Sequence, residues 1–261
     1  MRRKPGLKLE RSPLILVLAQ VRFSPVLKMR DYVPGIQEAL RQRAFSWYRE
    51  EQIQQVLFGP EVKSSLGNRW VFATRDRHEA IVLTNDFVVY ETSHYDVFET
   101  FTNKLEMVLS LLKDTVKIDF AEQLGLRYVD LIRSIDGTQA KDLLRTNVRG
   151  LSDSDLGASQ CRQHFLTKAV TPLGELFVRS VEDSGESFLP PDLADTSLDF
   201  GITPTEEAFR ILDTDHIAKG QWDFDPKALV ERMWELHGFS TKAFEAAVTP
   251  EAIEIWRKKG A

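Results

Sequence analysis

The run Leu212-Asp213-Thr214-Asp215-His216 is where this chain concentrates side chains able to hold a metal ion or move a proton. Apolar residues alternate around it, so it reads as a β-strand. In a strand, side chains two apart share a face. Asp213 and Asp215 therefore point one way, roughly 7 Å apart. His216 points the other way, with Leu212 and Thr214. A regular strand cannot bring all three to one cation. The two carboxylates alone are a weak ligand set for Mg²⁺ or Ca²⁺, which want about six oxygen atoms or more. A divalent-metal hydrolase or nuclease built on Asp213 and Asp215 stands as an alternative on that footing.

The same two carboxylates share their face with Phe209, Ile211 and Ile217. A carboxylate in such company is partly buried and needs a partner. Arg22 and Arg127 lie inside otherwise apolar strands and are the natural counter-ions. An arginine pair is therefore expected ahead of a metal centre. If the chain is a small-molecule-binding module, its pocket is expected under the helices near Arg22, Arg127 and Tyr128. His237 sits in the middle of a helix, "ELHGF", where a lone histidine is usually packed rather than catalytic. Cys161 and His164 are three apart on a strand and face opposite sides, which argues against a local Cys-His nucleophile. The five histidines show no HxH or HExxH spacing. The chain also lacks GxGxxG, GxxxxGK[ST] and GxSxG. No catalytic set is complete and no cofactor is implied.

The elements that position these residues follow from periodicity. Pro13–Phe23 reads as a strand, and 31–43 as a helix through Val33, Ile36 and Leu40 with Pro34 near its first turn. "EEQIQQVLFG" fits a short helix or a strand. Three strands follow, over 68–76, 79–85 and 87–93. A long helix carries Val97, Phe101, Leu105, Val108 and Leu112 on one face, broadened by Phe98 and Leu109, with Asp96 as N-cap. Gln123–Ile135 is a strand and "TQAKDLLRT" a short helix. A hairpin turns at Thr171-Pro172-Leu173-Gly174. Residues 184–204 form a loop, 209–220 a strand, and Asp225-Pro226 opens a second long helix. Thr249-Pro250 starts the last helix. The order strand, helix, three strands, helix occurs twice, and "QVRF" echoes "GLRYV". We therefore expect an α+β fold of antiparallel sheets, with long helices packed on one face. It would be a pseudo-duplication of β-α-β-β-β-α units over 1–120 and 121–261, packed as one globular body.

Composition is that of a soluble globular protein, 43% hydrophobic and 28% charged. One cysteine allows no internal disulfide. The run "PLILVLA" is too short to span a bilayer, and it lacks a signal-peptide cleavage site. No membrane association is expected, and a cytoplasmic location is. Net charge is −5, distributed unevenly. Met1–Glu50 carries eleven Lys/Arg against four Asp/Glu, and Val181–Asp225 twelve Asp/Glu against two Lys/Arg. Such fields steer charged partners or neutralise each other within a fold. The basic start "MRRKPGLKLERSP" and the mix of Arg41, Arg43, Trp47, Tyr48 and Arg49 have the chemistry of a nucleic-acid surface. The acidic whole does not favour it.

The order and spacing of "PLILVLAQVRFSP", Trp70 and Phe72, "YDVFETF" at Tyr95–Phe101, "GLRYVDLI" at Gly125–Ile132, "LDTD" at Leu212–Asp215, Leu236-His237 and Phe244 carry a resemblance. The chain resembles a sporadically distributed family of uncharacterised bacterial proteins. That resemblance implies no catalytic residues, and its patchy distribution suggests an association with mobile or defence genes. The leading expectation is thus a non-catalytic binding or regulatory protein acting through a protein partner. A small-molecule-binding module with a pocket at the sheet–helix seam comes second, and the metal-dependent hydrolase third. Arg22, Arg127, Tyr128, Asp213, Asp215 and His237 are the candidate contact residues.

Overall fold

The computed structural model describes residues 9–57, 63–151, 156–157, 162–185, 188–203 and 205–258. Among the described residues, nine strands form one antiparallel sheet, accompanied by four α-helices. The first half comprises β1 (Leu14–Phe23), α1 (Met29–Arg41), β2 (Trp47–Leu57), β3 (Lys63–Ala73), β4 (Glu79–Leu83), β5 (Phe87–Thr92) and α2 (Phe98–Val116). The second comprises β6 (Phe120–Ile132), two 3₁₀ turns, β7 (His164–Thr171), β8 (Gly174–Gly185), a third 3₁₀ turn (Pro191–Leu193), β9 (Thr205–Asp223), α3 (Pro226–Ala247) and α4 (Pro250–Arg257). The strand order across the sheet is β2-β3-β4-β5-β1-β6-β9-β8-β7. β1 and β6 pair antiparallel near the centre and join the two halves.

Four points of the sequence reading are revised. Of the undecided segment "EEQIQQVLFG", Glu50–Leu57 belongs to β2 and the last two residues lie outside the described ones, so four strands rather than three separate α1 from α2. Helix α1 begins at Met29, which puts Pro34 in its second turn rather than its first. The N-cap of α2 is Val97, one residue after Asp96, and it makes no side-chain cap bond. "TQAKDLLRT" forms two 3₁₀ turns, Ala140–Leu143 and Thr146–Val148, in place of one helix. The reason is tertiary. The connection between α3 and α4 claims this backbone: Arg145 N donates to Ala247 O at 2.8 Å and Thr249 N to Leu143 O at 2.9 Å. Those bonds fix Leu143, Leu144 and Val148 in the core at the expense of a continuous helix. Cys161 lies outside the described residues.

Alternation along β1 divides the core. Val17, Ala19, Val21 and Phe23 pack with Val33, Ile36 and Leu40 of α1, with Phe101, Leu105 and Leu109 of α2, and with Leu229, Met233 and Leu236 of α3. A neighbouring cluster joins Leu176, Val178 and Leu212 to Val248, Ala252 and Trp256. Leu16 points to the opposite face, with Val71, Val82, Val129 and Ile211. That face is covered by the segment 188–203 through Phe188, Leu189, Leu193, Leu198 and Phe200. The segment is tied down by Arg69 Nη2 to Asp195 O (3.2 Å), Thr196 Oγ1 to Glu91 Oε1 (3.0 Å) and Asp199 N to Arg77 O (2.8 Å). No helix among the described residues is long and apolar enough to cross a membrane.

The hairpin between β7 and β8 turns where expected. Thr171 Oγ1 accepts from Leu173 N and Gly174 N, both at 3.1 Å. Gly174 has φ +153°, and a Cβ there would lie 2.1 Å from Ile217 O and 2.9 Å from Ala218 Cα. Both are backbone atoms of β9, so the strand itself would have to move. Gly174→Ala should cost about 1–3 kcal/mol, read as a lower urea midpoint with an unchanged slope. An unaltered midpoint would show that this turn relaxes freely.

Candidate functional site

Strand β6 runs between β1 and β9, and its alternation sends Arg127 and Val129 to one face, Tyr128 and Asp130 to the other. The expected grouping of Arg127 with Tyr128 in one pocket is therefore corrected: the sheet lies between them. Arg22 belongs to neither group. It forms an ion pair with Asp86 beside the Phe87 ring, so it is no partner of Asp213 or Asp215.

On the face covered by 188–203, Arg127 and Asp213 form a buried bidentate pair. Arg127 Nε donates to Asp213 Oδ1 at 2.7 Å and Nη2 to Oδ2 at 2.8 Å. Asp213 is 1% exposed and Arg127 7%. Arg179 Nη1 adds a third bond to Asp213 Oδ2 at 2.9 Å. From above, Asp192 accepts two bonds from Arg127, at 2.5 and 3.1 Å. The hydrogen bond from Arg127 holds the Asp192 carboxyl below its ordinary range. Burial opposes the charge on Arg127, but its bonds to Asp213 and Asp192 outweigh this and raise its affinity for a proton. Asp215 lies on the same face, 3.9 Å from Arg179 Nη1, and burial raises its pKa. Beside this cluster is a cavity of about 370 Å³ lined by Gln20, Arg69, Glu91, Arg127, Asp192 and Asp215, among others. Burial raises Glu91 to about 6 against the opposing effects of Thr196 and Arg69.

On the helix face lies a smaller pocket, of about 100 Å³. Its floor is Tyr128, Asp130 and Thr214, from β6 and β9. Helix α3 supplies His237, Ser240, Thr241 and Phe244, which recur at i, i+3, i+4 and i+7 and so form one stripe. Tyr95 and Asp96 close it from the turn before α2, and Leu9, Ser12 and Leu14 from the start of the described chain. Tyr128 Oη and His237 Nδ1 are 2.8 Å apart. The His237 ring stacks on Phe98 at 4.0 Å, and Trp234 stands edge-on to both rings. Burial depresses His237 to about 4 and raises the Tyr128 phenol. The pair is thus neutral at pH 7, and a phenol donating to Nδ1 leaves the ring proton on Nε2.

Asp130 is the anomaly. It is 4% exposed, and its side chain makes no hydrogen bond or ion pair among the described residues. Burial, reinforced by the Asp213 charge through the sheet, lifts its pKa to about 8. Thr214, one strand away and 1% exposed, has a buried hydroxyl with no partner among the described residues. Ser240 is already occupied, donating to Leu236 O at 3.2 Å. His216, on the same face, is packed between Leu236 O (3.3 Å) and Thr171 Oγ1 (2.9 Å).

The structure thus unites Tyr128 with His237, and Arg127 with Asp213 and Asp215. Sequence reasoning passed over Asp130, Thr214, Tyr95 and Asp96. Asp130 had a usable signal, as an acid two residues from Tyr128 in an apolar strand. No group of three or more metal-type ligands occurs among the described residues. No protein-family model matches the chain, and no curated protein matches it in sequence.

Two predictions follow from the buried charges. Asp213→Ala removes one partner of a buried pair and should cost about 3–5 kcal/mol. Combining it with Arg127→Met should cost less than the sum of the single changes. Additive losses by urea unfolding would mean the two side chains are not coupled. For Asp130 the folded pKa, about 8, exceeds the unfolded value of about 3.9. The native state then binds the extra proton, and this group's contribution to stability declines as the pH rises from about 4 to about 8. His237 acts oppositely, since its folded pKa of about 4 lies below its unfolded value of about 6.5. Its contribution is present above about 6.5 and lost as the pH falls to about 4. Asp130→Asn should therefore raise Tm relative to the parent by an amount that grows from pH 4 to pH 8. A difference independent of pH would show that Asp130 titrates normally.

Proposed function

We propose that this protein is a non-catalytic binding protein whose ligand is a small molecule seated in the helix-face pocket. One observation carries the reading: a buried carboxyl, Asp130, and a buried hydroxyl with no partner among the described residues, Thr214, line the same pocket. Buried polar groups without partners are costly and uncommon in native proteins, and a ligand that bonds to both removes the cost. The chemistry of the walls favours binding over turnover. Ser240 gives its proton to a backbone carbonyl, and His237 is held neutral against Tyr128.

The expectation of a protein partner rests on charge asymmetry, and part of that charge is spent internally. Asp192, Asp213 and Asp215 face Arg127 and Arg179; Glu182 pairs with Arg210 and Asp225 lies near Lys113. At the other end, Arg41 pairs with Glu38, and Arg49 with Glu51, which weakens the nucleic-acid reading of those cations. The hydrolase reading meets the same obstacle, since Asp213 accepts three bonds from two guanidinium groups where a cation would need its oxygens.

The site fits a wider reading in which residues 1–120 and 121–261 descend from one duplicated unit, with the long helices on one face. What supports it is the order outward from the β1–β6 pair. β5 lies next to β1 and leads directly into α2; β9 lies next to β6 and leads directly into α3. The resemblance to the sporadically distributed bacterial family adds no residue roles to this.

Native mass spectrometry of the protein purified gently from its own host tests the proposal. A small-molecule adduct that is lost on denaturation, and absent from Thr241→Phe, is the expected result. A heavier species containing a second protein, with no small adduct, would overturn it in favour of a partner. An adduct retained by Thr241→Phe would place the ligand elsewhere.

A further inference from the structure

The larger cavity lies on the face of the sheet opposite the helices. Gln20, Gly125 and Ile217 stand side by side on its floor, from β1, β6 and β9. Gln123 and Arg127 flank Gly125 along β6, and Asp192 and Leu193 reach over from the covering segment. A glycine inside a strand weakens it and often marks a bulge, a bend, or the close approach of a ligand or another backbone. Here β6 pairs with β1 and with β9 in unbroken register through Gly125, so there is no bulge. Its φ lies outside the left-handed region. A Cβ there would meet Gln20 Cβ at 3.7 Å, an ordinary contact, and beyond its chain neighbours no other atom of the described residues within 4 Å. Neither backbone geometry nor packing among these residues requires glycine at this position. The missing side chain leaves room above the sheet.

The charges around that room are already matched in sign. Arg127 is held by Asp192 and Asp213, Asp215 lies 3.9 Å from Arg179, and Arg69 offsets part of the burial cost of Glu91. An ionic ligand of either sign would have to displace a counter-ion in place. Spare bonding capacity lies with the two half-buried amides. Gln123 Nε2 and Gln20 Oε1 are 3.5 Å apart, the outer limit of a hydrogen bond, and neither side chain makes another among the described residues. Each amide has two donor hydrogens and an oxygen with two lone pairs. Donors and acceptors therefore stand together, beside the acceptor oxygens of Asp215. A hydroxyl, which both donates and accepts, bonds to either kind of neighbour. Val89, Leu193 and Ile217 place apolar surface between these groups. A ring with a hydroxyl rim and C–H faces matches that mixture. A volume of about 370 Å³ exceeds the roughly 150 Å³ of a cavity that takes benzene and falls in the lower part of the range for small-molecule pockets.

We propose that this second cavity binds a neutral saccharide, with Gln20 and Gln123 bonding its hydroxyl groups, Asp215 accepting from another, and Gly125 leaving space for a sugar ring against the sheet. Asp192 is joined to Arg127 by two hydrogen bonds and so holds the cover over the ring. The site is independent of the helix-face pocket, since the sheet separates the two.

The test follows the side-chain amide resonances of Gln20 and Gln123 by NMR, with D-glucose, D-galactose and maltose as probes. Sodium lactate and ethanolammonium chloride at equal concentration are the charged controls. The exposed amide of Gln42 reports unspecific solvent effects, and the His237 ring reports the helix-face pocket. The expected result is that at least one saccharide moves Gln20 and Gln123 saturably, that Gln42 and His237 stay in place, and that the charged probes move neither amide. Affinity should fall at least tenfold in Gln123→Leu, and binding should vanish in Gly125→Leu, whose side chain occupies the floor. Melting curves without probe confirm that the variants fold. Should Gly125→Leu not fold, Gln123→Leu decides, and unchanged affinity there overturns the proposal. Saccharide binding retained by a folded Gly125→Leu overturns it too, because the sugar would lie elsewhere. Movement of the two amides by the charged probes alone, or by no probe, has the same consequence. A saccharide that moves His237 and not the amides would belong to the helix-face pocket: this proposal falls and the reading of that pocket stands.

Discussion

A bidentate arginine–aspartate pair, Arg127 with Asp213, spans two central strands of the sheet with hardly any exposure to solvent. Charge in that position is tolerable only when its hydrogen-bonding capacity is nearly filled. Four of the bonds Arg127 can donate are taken, two by Asp213 and two by Asp192. Satisfying the guanidinium thus requires both the register of β6 against β9 and the placement of the segment 188–203 above them. A slip of one residue would turn Arg127 to the helices and Tyr128 to the covering segment. The pair therefore fixes register at the same time as it holds a long irregular segment on the sheet.

The same register determines what reaches the other face. With Arg127 committed to Asp213, the intervening residues Tyr128 and Asp130 must point at the helices. Tyr128 finds His237, but Asp130 finds no donor among the described residues. Two acidic groups from adjacent strands thus lie on opposite sides of one sheet, one paired with two arginines and one without a partner among the described residues. The Asp213 charge makes ionisation of Asp130 harder, so the structural pair on one face tunes the pocket on the other. The contrast between the two cavities has the same origin. The larger one is bordered by charges that largely close one another's hydrogen bonds, and the smaller one includes Thr214, whose hydroxyl has no partner among the described residues.

Much of this was legible in the sequence because strand parity is a strict rule. Alternation in "LDTDH" separated Asp213 and Asp215 from His216 correctly, and the need of a buried carboxylate for an arginine led to Arg127. What parity cannot supply is which strands are neighbours. Arg22 and Arg127 are equivalent in local pattern, yet β1 has β5 and β6 beside it and never touches β9. The same blindness put Arg127 and Tyr128 in one pocket, although applying the alternation rule to "GLRYVDLI" would have divided them. Tertiary bonds decided "TQAKDLLRT", where the backbone between α3 and α4 draws the chain out of a helix. The stripe of His237, Ser240, Thr241 and Phe244 was visible as a periodicity, but its significance depended on the strand beneath it.

His237 shows how little a site residue's own sequence context reveals. Helical periodicity gives its direction and nothing more. Its chemistry is set by Phe98 from α2 stacking on the ring, by Trp234 one turn earlier, and by Tyr128 from β6 at Nδ1. Two elements far from it in the chain and one neighbour on its own helix thus keep the imidazole neutral and fixed. A neutral imidazole adds no positive charge to a pocket that already contains two acids. Burial among aromatic rings withholds a second ring proton, so His237 brings no charge to the pocket it shares with Asp130.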